Sequence, residues 1–213
     1  MMLFKQSVTR TIFFHGNSLS DFGEGLVLDV QRFPVSCYTS ILALNKKWAY
    51  HNAYSTGGRR TYEMTADFSA EVGVHSKPGD LLIFWEICND AHDKVSDTAG
   101  TALYADVLAY FAAAAPYGLK KVCLTGIPRL YPAYDDAGIT SRIFACNQLL
   151  RDTVSPPWDL LIDIAALTQF DAEADINNAT YYNQTDKTHL TDVGYDLVAT
   201  TVYNALVASV LLN

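Results

Sequence analysis

Asp80-Leu81-Leu82-Ile83-Phe84-Trp85-Glu86 is the stretch that decides the fold. An unbroken apolar run bounded by charge leaves neither side of a strand polar, the pattern of a strand covered on both faces. Lys121 to Thr125 repeats it with Val122-Cys123-Leu124 at its centre. Working outward, Thr11 to His15, Ala49 to Ser55 and Asp159 to Ile164 are further short runs of β-branched and aromatic residues. Between and after them, Val35 to Trp48, Tyr62 to Val74, Thr98 to Ala115, Ile139 to Val154 and Thr191 to Leu212 carry helix formers with apolar positions three and four apart. In the last segment Thr191 can cap the helix, and Val193, Leu197, Val198, Val202, Leu206 and Val210 form one stripe. Strands alternating with helices predict an α/β protein, a three-layer α/β/α sandwich around a parallel sheet. The breaks at Lys77-Pro78-Gly79, Pro116-Tyr117-Gly118 and Pro156-Pro157 fall between elements, and no linker divides the chain, so one domain over residues 1–213 is expected.

Composition agrees with a packed domain: 213 residues are half apolar, enough for a sizeable core. Fifteen basic against 23 acidic residues give a net charge of −8, the wrong sign for phosphate backbones, so nucleic acid is not an expected partner. No apolar stretch is long enough for a membrane span or a signal-peptide core, and a soluble chain is expected, its compartment open between the cytoplasm, a bacteriophage virion and export by another route or with a removed leader. Cys37, Cys88, Cys123 and Cys146 show no C-x-x-C spacing and read as buried free thiols.

Chemistry concentrates at strand ends. The first strand runs into His15-Gly16-Asn17-Ser18-Leu19-Ser20-Asp21, where Gly16 permits a tight turn and Ser18 stands at the carboxyl edge of the sheet, the edge that faces ligand in such folds. A serine hydroxyl needs a base and donors for the oxyanion that its attack on a carbonyl would create. Asp186-Lys187-Thr188-His189 offers the base: across a turn Asp186 can hold the Nδ1 proton of His189 and leave Nε2 to accept from a serine. Donors are available at Gly57, which with Gly58 also reads as a simple turn, and at Asn89, which with Asp90 also reads as a helix cap.

Taken in order, these segments resemble the blocks of the SGNH hydrolases, the GDSL-type esterase/lipase family. Gly16-Asn17-Ser18-Leu19-Ser20-Asp21 is similar to the Gly-Asp-Ser-Leu block, Gly57 to the second-block glycine and Asn89-Asp90 to the end of Gly-x-Asn-Asp. Asp186-x-x-His189 is similar to the last block. Asn17 stands where the family has Asp, and Ile87 where it has Gly. The resemblance implies a flavodoxin-like five-stranded parallel sheet in the order 2-1-3-4-5 and ester hydrolysis through an acyl-enzyme. Ser18 would be the nucleophile, His189 the base and Asp186 its orienting acid. The amides of Ser18 and Gly57 and the Asn89 side chain would bind the oxyanion, with no metal or organic cofactor required.

Arg59 and Arg60 follow Gly57 and could bind an acidic substrate group. Two segments are longer than a connection needs, Ile127 to Gly138 and Ala172 to His189, and they are candidate pocket walls. They carry Tyr131, Tyr134, Tyr181 and Tyr182 as candidate sugar-stacking platforms, whereas Trp85 reads as core. The resemblance implies, as the expected substrate, a small acyl ester such as an O-acetyl group on a carbohydrate. The alternatives are a lipase, lysophospholipase or thioesterase of longer acyl preference, and an inactive carbohydrate-binding domain of the same fold.

Overall fold

A computed structural model describes residues 9–20, 37, 40, 41, 48–52, 55–130 and 138–212. Five strands form an all-parallel sheet, β1 (Arg10–Gly16), β2 (Trp48–Asn52), β3 (Leu81–Trp85), β4 (Lys120–Leu124) and β5 (Leu160–Ile162), in the order β2-β1-β3-β4-β5. The helices around it are α1 (Thr61–Glu71), α2 (Cys88–Asp93), α3 (Thr101–Ala114), α4 (Ile139–Asp152) and α5 (Asp192–Ala208). This is the expected α/β sandwich in the flavodoxin-like order. Trp48, expected to end a helix, instead opens β2 and pairs with Arg10, while Cys37, Ser40 and Ile41 before it are helical.

β3 occupies the middle of the sheet, between β1 and β4, and all five of its residues are buried. Its alternating side chains divide between the two helical layers. Register places Phe13, His15, Leu82, Phe84 and Cys123 on one face, and there Phe84 packs 4.3 Å centroid to centroid on Tyr110 of α3 and edge-on to Phe111. Burying three such rings together stabilises the layer through apolar area and through favourable ring geometry. On the opposite face, Lys120 Nζ donates to Leu211 O and Trp48 Nε1 to Leu212 O, so the end of the chain after α5 is pinned across β4 and β2.

Thr191 caps α5 as expected, its Oγ1 accepting from Gly194 N at 3.2 Å. The buried stripe consists of Tyr195, Val198, Ala199, Val202 and Leu206. Val193 and Val210 fall outside it and are more than half exposed, the first in the opening turn and the second beyond the helix end, where φ is 58°. All four cysteines are free and buried.

Two connections are set by close approach. A Cβ on Gly16 would lie 2.5 Å from Trp85 O, so only glycine lets the end of β1 sit against β3. Gly100, ahead of α3, has φ of 68°, and a Cβ there would lie 2.3 Å from Cys146 N of α4. The parallel arrangement sends the ends of β1, β3 and β4 to one edge, where residues 17–20, 86–90 and 125–130 lie.

Candidate active site

Directly after Gly16 the chain turns, with Ser20 N donating to Asn17 O at 2.9 Å. The Asn17 side chain fixes that turn twice. Its Oδ1 accepts from Leu19 N at 2.8 Å, and its Nδ2 donates to Glu86 Oε2 at 3.0 Å. Glu86 explains the asparagine: a carboxylate at position 17 would face another carboxyl group in a buried site, whereas a carboxamide supplies both the acceptor and the donor that the turn uses. Ser18, within the turn, is 8 % exposed and presents Oγ at the sheet edge.

His189 arrives from the other end of the chain. Its Nε2 lies 2.8 Å from Ser18 Oγ, and its Nδ1 lies 2.8 Å from Asp186 Oδ2. A carboxylate beside Nδ1 places the proton there and leaves Nε2 to accept from the hydroxyl. The second oxygen of Asp186 takes the amides of Thr188 at 2.9 Å and His189 at 3.0 Å, so one carboxylate orders both the backbone and the ring. Burial alone would raise the Asp186 carboxyl, but the hydrogen bonds from the His189 ring and from these two amides hold it below the usual carboxylate value. Lys187, inside this turn, has φ of 49°, a left-handed conformation that costs a non-glycine residue about 1 kcal/mol. Ties to Asn183 O from its N–H and to Asn177 Oδ1 from its Nζ hold it there.

Gly57 and Gly58 do form a turn, closed by Arg59 N donating to Thr56 O, with Gly58 at φ of 77°. That turn brings Gly57 against the serine, since a Cβ on Gly57 would lie 3.8 Å from Ser18 Cβ. Asn89, on α2, meets the end of that turn. Its Nδ2 donates to Arg59 O at 2.9 Å, and its Oδ1 accepts from Arg129 Nη1 at 2.7 Å. Glu86 joins the two segments: Oε1 accepts from Asn89 N at 2.7 Å and from Asp90 N at 3.2 Å, while Oε2 accepts from Ile87 N and Asn17 Nδ2. Burial first, and then the Asp90 carboxyl, push the Glu86 pKa up to about 8. Ile87 is buried against Gly126, whose missing side chain leaves it room, a Cβ there falling 3.3 Å from Ile87 Cβ. The space that glycine would leave open at position 87 is thus matched by a glycine on the facing loop.

Arg59 and Arg60 border a cleft of about 530 Å³ beside Gly57, together with Glu63, Asp67 and Glu71. Both guanidinium groups are engaged by carboxylates. Arg59 reaches Glu71 at 2.7 Å and Asp67 at 2.9 Å, and Arg60 pairs with Asp93. Tyr182 is not a stacking platform. It is fully buried, packs edge-on to Phe170 at 5.7 Å and donates its hydroxyl to Pro128 O at 2.9 Å. An aromatic in a polar, tyrosine-rich loop reads as a surface residue, but here the loop folds back and buries it. Tyr181 is half-buried beside Phe170. Tyr131 and Tyr134 lie outside the described residues.

Sequence reading alone did not single out Arg129, and it took Glu86 only as the charged end of a strand. The length of the Ile127 to Gly138 segment was the available signal for the first. Among the described residues no group of three or more His, Cys, Asp or Glu side chains could hold a metal ion, and no helix is long and apolar enough to cross a membrane.

No protein-family model matches the chain, and no curated protein matches it by sequence. The fold superposes on solved structures of a GDSL-like lipase, an acetyl xylan esterase and a lipase/acylhydrolase. A member of the lipolytic G-D-S-L family from Veillonella parvula superposes with a TM-score of 0.64 at 16% identity, covering 93% of this chain and 98% of that one. The acetyl xylan esterase AlAXEase gives 0.61 at 19% identity over 92% and 99%. A lipase/acylhydrolase from Enterococcus faecalis gives 0.63 at 16% identity over 92% and 95%. At these identities the likeness is one of fold.

Proposed function

We propose that the chain is a single SGNH-type domain and a serine ester hydrolase acting on a small acyl ester carried by a polyhydroxylated alcohol, such as an O-acetylated carbohydrate. The observation that carries this reading is the unbroken line of hydrogen bonds from Ser18 Oγ through His189 to Asp186, each 2.8 Å long. The Ser18 oxygen attacks the ester carbonyl while its proton passes to His189 Nε2. The imidazolium so formed is stabilised by the Asp186 carboxylate, and the carbonyl oxygen, now an anion, is held by the amides of Ser18 and Gly57 and by Asn89 Nδ2. Collapse of this intermediate transfers the proton to the departing alkoxide and leaves an acyl-serine, and water activated by the same imidazole then releases the carboxylic acid.

The alcohol side of the substrate is read from the cleft beside Gly57. Its walls set two guanidinium groups among three carboxylates, with Arg59 already paired to Asp67 and Glu71, a lining that suits hydroxyl groups, which donate and accept, better than a long acyl chain or an anion. The likeness to an acetyl xylan esterase supports the same choice.

The test compares wild type with Ser18→Ala on p-nitrophenyl esters from acetate to octanoate at pH 7–8, alongside labelling with a fluorophosphonate. Wild type is expected to label and to turn over acetate fastest, and Ser18→Ala to do neither, with kcat reduced at least about 10³-fold. Activity rising steadily toward octanoate would replace the small-acyl reading with a lipase, and an unlabelled, inactive wild type would overturn the hydrolase.

A further inference from the structure

We propose that Arg129 is a positioning residue for the oxyanion site, fixing which end of the Asn89 carboxamide faces the reacting carbonyl. The inference rests on the serine hydrolase reading above and adds to it a residue outside the four sequence blocks.

A carboxamide is nearly symmetric in shape and opposite in chemistry at its two ends. Were Asn89 to rotate by half a turn about its last bond, an acceptor would replace the donor presented to a developing oxyanion, and stabilisation would become repulsion. At the Oδ1 end of Asn89 stands Arg129 Nη1 at 2.7 Å, a group that can only donate. At the Nδ2 end stands the carbonyl of Arg59 at 2.9 Å, a group that can only accept. Rotation would set donor against donor and acceptor against acceptor, so the pair selects one orientation. It also leaves the second Nδ2 hydrogen uncommitted to Arg59. A charged donor on Oδ1 draws electron density from the amide and makes that hydrogen a stronger donor.

The arginine is built in for this contact. It is 7 % exposed, and among the described residues its Nε has no hydrogen-bond partner, so its burial is costly and is offset in part by the contact to Asn89. Its backbone is held on both sides, Arg129 N donating to Thr140 Oγ1 at 3.2 Å and Thr140 Oγ1 donating to Arg129 O at 3.0 Å. Its neighbours tie to the segment that carries the triad histidine. Tyr182 donates to Pro128 O, Leu130 N donates to Lys187 O at 3.0 Å, and Thr188 Oγ1 donates to Leu130 O at 3.1 Å. One short stretch of chain therefore registers the base-bearing loop and the oxyanion donor against each other.

The experiment is a double-mutant cycle on p-nitrophenyl acetate with Arg129→Met, Asn89→Ala and the pair, with fluorophosphonate labelling and thermal melting of each. Arg129→Met is expected to lower kcat roughly 10- to 100-fold with KM within about two-fold, part of the 10²–10³-fold effect of removing an oxyanion donor outright. Arg129→Lys, which keeps the charge but loses the planar fork, should recover only part of this. In an Asn89→Ala background Arg129→Met should cost less than about two-fold more. Multiplicative losses in the cycle, or a folded Arg129→Met with wild-type kcat, would overturn the inference. If Arg129→Met does not fold, Arg129→Lys carries the same cycle, and undiminished kcat or independence of Asn89 overturns it equally. Failure of the hydrolase reading looks different, because wild type itself would then neither label nor turn over.

Discussion

Asp186 supports two things at once, the ring of His189 and the backbone turn that presents it. Asp186→Asn keeps the shape and removes the charge, and its amide cannot accept from Nδ1–H at the nitrogen end. We expect kcat on p-nitrophenyl acetate to fall about 10²–10⁴-fold with the melting temperature little changed, measured side by side on the purified variant. Ser18, Asp186 and His189 were legible in the sequence through the joint resemblance of four blocks in order; the spacing Asp-x-x-His is local geometry, but the meeting of His189 with Ser18 is not. Arg129 and Glu86 were not legible. An arginine in a loop and a glutamate at a strand end are by default solvated, and their burial arises only when segments 17–20, 86–90 and 125–130 converge at one sheet edge. Tyr182 was misread for the same reason.

The strands and helices followed from local pattern, and β3 most clearly, since its five apolar residues between two charges have the length of a buried strand and fall short of a helix. What pattern could not supply was the fit between elements. Gly100 illustrates it: in sequence it precedes a helix like many other residues, but in the fold its α-carbon touches the backbone of α4. Gly100→Ala would combine a left-handed φ with a Cβ 2.3 Å from Cys146 N. The helices must then part, and a loss of about 3 kcal/mol, roughly 10 °C in melting temperature, is expected. Val193 and Val210 make the complementary point. A helical stripe drawn from sequence extends as far as valines occur, whereas burial stops where the helix leaves the sheet.

At the scale of the whole molecule, buried ionisable groups give stability a pH profile that can be assigned. Glu86 has its pKa raised from 4.5 to about 8 by burial and by Asp90, against the pull of the Arg129 charge. The folded protein then retains a proton that the unfolded chain releases between those values, so this contribution is present below pH 4.5 and lost as pH rises toward 8. Asp90, raised to about 6 mainly by burial, acts with the same sign at lower pH. His15 acts oppositely: burial lowers its pKa from 6.5, and its contribution is lost as pH falls below that value. Between about pH 6.5 and 7.5, below the range in which the thiols of the unfolded chain ionise while the four buried cysteines keep their protons, Glu86 dominates, and Glu86→Gln should flatten the fall in melting temperature that wild type shows there. Thermal melts at half-unit steps would show it, and parallel profiles for the two proteins would refute the assignment.

The Ser18–His189 hydrogen bond joins positions 171 apart in the chain. On a ribosome Ser18 emerges 171 residues ahead of His189 and is an ordinary alcohol over that interval. It gains its base only when the segment ahead of α5 has emerged and settled on the sheet edge. On the reading proposed above, reactivity is then a property of the folded sheet edge and not of the serine's own segment, and labelling of Ser18 would report that the two segments have met.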